Sequence, residues 1–178
     1  MKYKIIYADP PWPYDNQQSH DPARGGYTYR PMSLECIKSL PLLDIADDNC
    51  TLFLWATEPK GTMPYEVMQV WGFKHVTTAF VWVKLNPSGV GFYSGLGYWT
   101  NGNIERVLLG KRGSPKRVAR DVKQLVFAPR GNHSEKPALV RSLIVRLIGD
   151  VPRIELFARE RCPGWHAWGN EVESDISW

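Results

Sequence analysis

The chain has 178 residues, the size of one domain with a sizeable core. Its composition is that of an ordinary soluble globular protein, apart from a high content of eight tryptophans. A net charge of +4 and a pI near 9.0 admit a polyanionic partner without requiring one. Cys36, Cys50 and Cys162 are odd in number and form no C-x-x-C pair. They argue against a disulfide framework or a zinc cluster, and for a reducing, cytoplasmic setting with no metal ligands. The run Ile5-Ile6-Tyr7-Ala8 is too short for a signal peptide, and no apolar run approaches the roughly 20 residues of a membrane span.

Tyr3 to Ala8 has the length and β-branched content of a buried strand. It breaks at Asp9-Pro10-Pro11-Trp12. The residue before a proline is pushed to extended geometry, and two prolines end the ladder. The product is a stiff corner at a strand's carboxyl end, where open α/β sheets bind ligands. Asp9 and the Pro10 carbonyl are two convergent acceptors, suited to the exocyclic amine of adenine or cytosine. Trp12 offers a face on which a base can stack. The alternative is a polar turn with Trp12 filling core.

The polar segment 13–32 reads as a substrate-facing loop, with Arg24, Tyr27, Tyr29 and Arg30 placed to meet phosphates and bases. Ser33 caps a short helix through Leu40, stopped by Pro41. Thr51 to Ala56 is a second strand. Pro64 opens a helix to about Trp71, with Gly72 as its C-cap. A third strand ends at Phe80-Val81-Trp82-Val83-Lys84, where Lys84 either reaches a phosphate or is solvated. Alternating strands and helices indicate βαβ units and a mainly parallel sheet.

The segment 85–103 is a second long, substrate-facing loop. Ile104 to Leu109 reads as a strand and Val122 to Ala128 as its partner, with a basic hairpin over 110–123 between them. Lys111, Arg112, Lys116 and Arg117, with Arg120 and Lys123, either bind phosphate or form a solvated basic face. His133 to Pro137 starts the strongest helix, whose apolar stripe is Leu139, Val140, Leu143, Ile144, Leu147 and Ile148. Lys136 falls in its first turn, where N–H groups favour anions. Arg141 and Arg146 lie off the stripe. Arg153 to Arg159 is the last strand, and Glu155 inside it needs a polar partner or an exposed edge. No G-x-G-x-x-G is present, which removes the usual dinucleotide fingerprint.

Asp9-Pro10-Pro11-Trp12 resembles the DPPW motif of the adenine-N6 methyltransferases, both the mRNA adenosine enzymes and their bacterial and phage DNA relatives. Tyr29-Arg30-Pro31-Met32-Ser33, Phe53-Leu54-Trp55, Val81-Trp82-Val83-Lys84, Ile154 to Arg159 and Gly169-Asn170 resemble later segments of that family in the same order. Tyr98 to Asn103 departs from the family's W-x-N-H-G segment by lacking the histidine. The resemblance implies a single-domain α/β, Rossmann-like, S-adenosylmethionine-dependent methyltransferase fold with circularly permuted motif order. It implies a catalytic group of Asp9, Pro10, Pro11 and Trp12, with Trp12 and Tyr29 about the target base; Tyr27 is added to them from its place in the same loop. It implies S-adenosylmethionine as cofactor, held by Lys136, Arg159, Asn170 and Glu171, with Lys136 on the cofactor carboxylate. Glu155, as an acid needing a polar partner, and Asp9 and Phe157 are expected in the same cofactor site. Glu171 stands where the family carries an amide. The substrate implied is nucleic acid, with DNA preferred to RNA because the chain is compact, and a homodimer is admitted. The competing readings are an RNA adenosine enzyme, a cytosine-N4 or small-molecule amine methyltransferase, and a non-catalytic nucleic-acid-binding homologue.

Overall fold

A computed structural model describes residues 1–13, 31–57, 61–97, 99–131 and 134–178. Among them the chain forms seven strands and three α-helices in one sheet. The strands are β1 (Tyr3–Ala8), β2 (Ala46–Ala56), β3 (Lys74–Leu85), β4 (Ile104–Arg112), β5 (Leu125–Pro129), β6 (Arg153–Leu156) and β7 (His166–Trp168). The helices are α1 (Leu34–Lys38), α2 (Met63–Val70) and α3 (Leu139–Ile148). The sheet order is β5-β3-β4-β2-β1-β6-β7.

Central strands are apolar on both faces because helices cover both. On one face Tyr3, Ile6, Ala8, Leu52 and Leu54 pack under Ile37 of α1 and Val67 and Met68 of α2. On the other face Ile5, Tyr7, Phe53, Trp55 and Trp82 pack under Val140, Ile144 and Ile148 of α3. Ser33 caps α1 as expected, its side chain accepting from the Cys36 N–H at 3.1 Å. Gly72 follows the α2 C-cap, Trp71, with a φ of 81° that suits glycine.

Four of the six pairings are parallel, and β4 alone runs against its neighbours β2 and β3. That corrects the expected hairpin over 110–123. β5 pairs in parallel with β3, so the basic segment is a connection rather than a hairpin turn. α3 begins at Leu139, so Lys136 precedes the helix and is not in its first turn. β7 is too short at three residues to register as a periodic run. No helix among the described residues is long and apolar enough to cross a membrane.

Candidate active site

A cleft of about 260 Å³ opens at the carboxyl edge of the sheet. It is lined by Tyr7, Asp9, Ser134, Glu135, Lys136, Arg141, Glu155, Phe157, Arg159, Glu160 and Glu171. It lies where β1 and β6 end side by side. From β1 the chain continues to β2 on one side, while β6 and β7 lie on the other. Such reversals leave a crevice because the loops leave in opposite directions.

The corner after β1 builds one wall. Asp9 continues directly from Ala8. The Trp12 N–H donates to the Pro10 carbonyl at 2.8 Å, closing a three-residue turn. The Met32 N–H donates to the Pro11 carbonyl at 3.0 Å, pinning the far end of segment 13–32 to the corner. The Pro10 carbonyl therefore has one lone pair committed and one left. Trp12 does not stand open for stacking: it is 2% exposed, and its indole N–H donates to the Trp55 carbonyl at 3.1 Å. Its hydrophobic area is drawn into the core, which corrects its placement beside the base. Tyr27 and Tyr29 lie outside the described residues.

Asp9 heads a chain of alternating charges. Lys136 Nζ is 2.9 Å from Asp9 Oδ2 and 3.3 Å from Glu105 Oε2. Lys84 Nζ is 2.6 Å from Glu105 Oε1. The two lysines lie over indoles, Lys136 over Trp55 at 5.4 Å and Lys84 over Trp82 at 5.1 Å. The four charges sum to zero, which is what a largely buried set requires.

Lys136 also donates to the Ser134 carbonyl at 3.2 Å, while its 3.3 Å approach to Glu105 is an ion pair without a hydrogen bond. It lines the cleft where a cofactor carboxylate was expected, with its charge already shared between Asp9 and Glu105. Lys84 is tied to Glu105 rather than reaching for a phosphate, which corrects that expectation. Glu105 went unforeseen, although an acid inside the apolar run Ile104 to Leu109 raises the same question as Glu155.

Burial pushes the Asp9 carboxyl up, and the Lys136 ammonium only partly offsets it. Burial also acts against ionised Glu105, but Lys136 and Lys84 together outweigh it and hold that carboxyl below its usual range. For Lys136 burial opposes the charge, while Asp9 and Glu105 prevail and raise it.

The opposite wall comes from β6 and α3. Glu155 meets Arg141 through Nε–Oε2 at 2.6 Å and Nη2–Oε1 at 2.9 Å. Its partner is therefore a protein side chain, where a ligand or an exposed edge was expected, although the pair still lines the cleft. Phe157 follows β6 at a φ of 61°, uncommon for a residue with a Cβ, and meets Trp168 edge-on at 5.4 Å. Arg159 Nε lies 3.0 Å from Glu171 Oε1, joining two expected cofactor residues across the mouth. Asn170 is exposed and is not among the lining residues. Gly169 has a structural reason: a Cβ there would be driven into the Ala158 carbonyl oxygen.

The basic residues lie elsewhere. Lys111 pairs across β4 with Thr51 in the middle of β2 and Lys74 at the start of β3. Six residues of β4 separate it from Glu105, about 20 Å at the usual rise. Arg112 Nη2 is 3.3 Å from Asp48. Lys116 and Arg117 follow at the same end, between Ser114 bonded to Asn49 and Val118 bonded to Leu147. Any phosphate that Lys111, Arg112, Lys116 and Arg117 meet therefore lies away from the cleft, because β4 carries them from the corner.

An open α/β sheet with a cleft at its reversal point, walled by both signs of charge and by aromatic rings, is the arrangement of a small-molecule-binding domain. The chain belongs to the MT-A70 family, whose sequence model matches residues 3–171. It is 35% identical over 191 residues to the type II methyltransferase M.MunI of Mycoplasma sp, covering 96% of this chain and 78% of that protein. It is 32% identical over 184 residues to the human N(6)-adenine-specific methyltransferase METTL4, covering 96% of this chain and 37% of that one. It is 27% identical over 176 residues to the human N(6)-adenosine-methyltransferase catalytic subunit METTL3, covering 97% and 28%. The chain thus spans most of the first relative and well under half of the other two.

Proposed function

We propose that this protein transfers a methyl group from S-adenosylmethionine to the exocyclic N6 amine of adenine in nucleic acid, with DNA as the substrate. The observation that carries the reading is Asp9, a carboxylate at a strand end, tethered at Oδ2 by Lys136 and facing the cleft. Family membership supports the methyltransferase reading, and the match to a type II methyltransferase over 78% of its length supports DNA.

The cleft suits the donor molecule chemically. Phe157 offers a ring to an adenine, Arg159 and Glu171 offer charge-assisted bonds to ribose hydroxyls, and Glu155 offers a carboxylate to N–H or O–H donors. Bound there, S-adenosylmethionine supplies an electrophilic methyl group.

The chain's own groups act on the amine. With Oδ2 held by Lys136, Asp9 Oδ1 accepts one N–H of the target, and the second lone pair of the Pro10 carbonyl accepts the other. Both bonds favour a pyramidal nitrogen whose lone pair is less delocalised into the ring. Positive charge grows on that nitrogen during transfer, and the fixed carboxylate opposes it. The displaced proton passes to Asp9 and then to solvent. A base in duplex must first be extruded, at a cost of a few kcal/mol.

The test is transfer of labelled methyl to duplex DNA, single-stranded DNA, RNA and free nucleosides, followed by nucleoside analysis. The reading expects N6-methyladenine in DNA. Labelling of RNA alone would move the substrate to RNA, and N4-methylcytosine would move the base. Absence of transfer by folded, cofactor-binding protein would leave a binding module and sink the enzyme.

A further inference from the structure

Arg141 belongs to none of the roles above. It stands on α3 one residue past Val140, off the apolar stripe, and reaches across to Glu155 on β6. Its side chain and that of Glu155 are 12% and 11% exposed. Exposed ion pairs are weak, and buried ones can often be replaced by apolar groups without loss of stability. A buried pair that also lines a ligand cleft therefore calls for a reason other than folding.

The geometry supplies one. A planar guanidinium engaging both carboxylate oxygens leaves the carboxylate no freedom to rotate. Each oxygen keeps a further lone pair. Arg141 is itself braced by Glu160 Oε1 at 3.2 Å. Across the β1–β6 register Tyr7 stands beside Glu155, and its hydroxyl already accepts the Trp55 indole N–H at 2.6 Å.

We infer that Arg141 is a positioning residue for cofactor binding: it clamps Glu155 so that a fixed anionic acceptor meets the N–H or O–H donors of the bound cofactor. This rests on the cofactor reading given above. Burial favours the neutral acid at Glu155, and Arg141 opposes that. The other titratable groups about Glu155 are Tyr7 and Asp9 from β1 and its end, and Glu160 beyond β6. Tyr7 stays neutral, its phenol raised by burial and by Glu155, so it adds no second anion beside Glu155. Without Arg141, Glu155 takes up a proton at higher pH and ceases to be an acceptor.

The experiment is calorimetric binding of S-adenosylmethionine and of its demethylated product at pH 6 to 9. The proteins are wild type, Arg141→Met, Arg141→Lys, Glu155→Gln and the Arg141→Met/Glu155→Gln double variant. Folding is followed by circular dichroism. Arg141→Met should weaken binding about tenfold or more, the scale of one misplaced charge-assisted hydrogen bond. The loss should deepen as pH falls. Arg141→Lys should recover part of it, since lysine restores charge without the fork. Arg141→Met should add little further loss in the Glu155→Gln background, because it acts through Glu155. The double variant carries no unpaired buried charge, so it keeps the comparison available if Arg141→Met folds poorly. Wild-type affinity and an unchanged pH profile in Arg141→Met, or in the double variant, would overturn the assignment. If wild type bound neither molecule, the cofactor reading itself would fall.

Discussion

Lys136 Nζ sits 2.9 Å from Asp9 Oδ2 and reaches Glu105 with the same ammonium. One cation thus bridges two carboxylates, Asp9 just past β1 and Glu105 on β4, and Lys84 supplies the second positive charge. Replacing it with an apolar side chain leaves two acids confronting each other in a largely buried setting. Lys136→Met should cost about 3–5 kcal/mol of stability, the usual penalty for stripping a buried charge of its partner. The Lys136→Met/Asp9→Asn double variant, which keeps the Glu105–Lys84 pair intact, should recover much of that. Chemical denaturation of the three proteins checks it, and additive losses would contradict the shared-cation account.

The pH dependence of methyl transfer follows from Asp9. Its folded-state carboxyl is raised, chiefly by burial, and the accepting role requires the ionised form. Activity should therefore fall on acidification at a pH above the ordinary aspartate value. Lys136 partly offsets burial, so Lys136→Met should move the acid limb to still higher pH. A profile of kcat/KM against pH for both proteins reads this directly. For stability the signs differ between the acids. Asp9, being raised, contributes stability at low pH that is lost as pH rises through its folded value. Glu105, being lowered, contributes stability above its unfolded value that is lost as pH falls through its folded one.

Trp12 is 2% exposed and hydrogen-bonded to Trp55. Trp12→Ala should cost about 3–5 kcal/mol through the cavity it leaves. Trp12→Phe should retain most of the packing and lose the bond to the Trp55 carbonyl, about 1 kcal/mol. Thermal unfolding checks both. If Trp12→Ala left stability intact while raising KM for nucleic acid, the indole would be a stacking surface after all.

Lys116 and Arg117 lie at the amino end of the sheet, away from Asp9. Lys116→Gln with Arg117→Gln should leave kcat on a short oligonucleotide unchanged. A side chain that neutralises a phosphate adds about one to the salt slope of binding, and its removal takes that increment away. On a short substrate the slope should stay the same, and a clear drop would place the duplex across this face.

What the sequence showed plainly was local. The run Tyr3 to Ala8 and its two prolines specify strand and corner within ten residues, so β1 and Asp9 fall where expected. Glu155 announces the need for a partner but not its identity, because Arg141 arrives from a helix whose facing side depends on tertiary packing. Neighbours in sequence usually pair, which points β5 to β4, whereas in the fold β3 takes it. Lys136 reads as free in the sequence because a lysine's partners are set by strands that meet only in the fold. Trp12 beside a ligand corner reads equally well as platform or core, and burial of a large apolar ring decides it.

The most direct measurement is mass-spectrometric nucleoside analysis of DNA treated with wild type and with Asp9→Asn, alongside cofactor affinity for each. The account predicts N6-methyladenine from wild type, a loss of at least a hundredfold in Asp9→Asn (about 2.7 kcal/mol of transition-state stabilisation), and cofactor binding retained within about tenfold. Comparable N6-methyladenine from Asp9→Asn would contradict the claim that this carboxylate grips the amine.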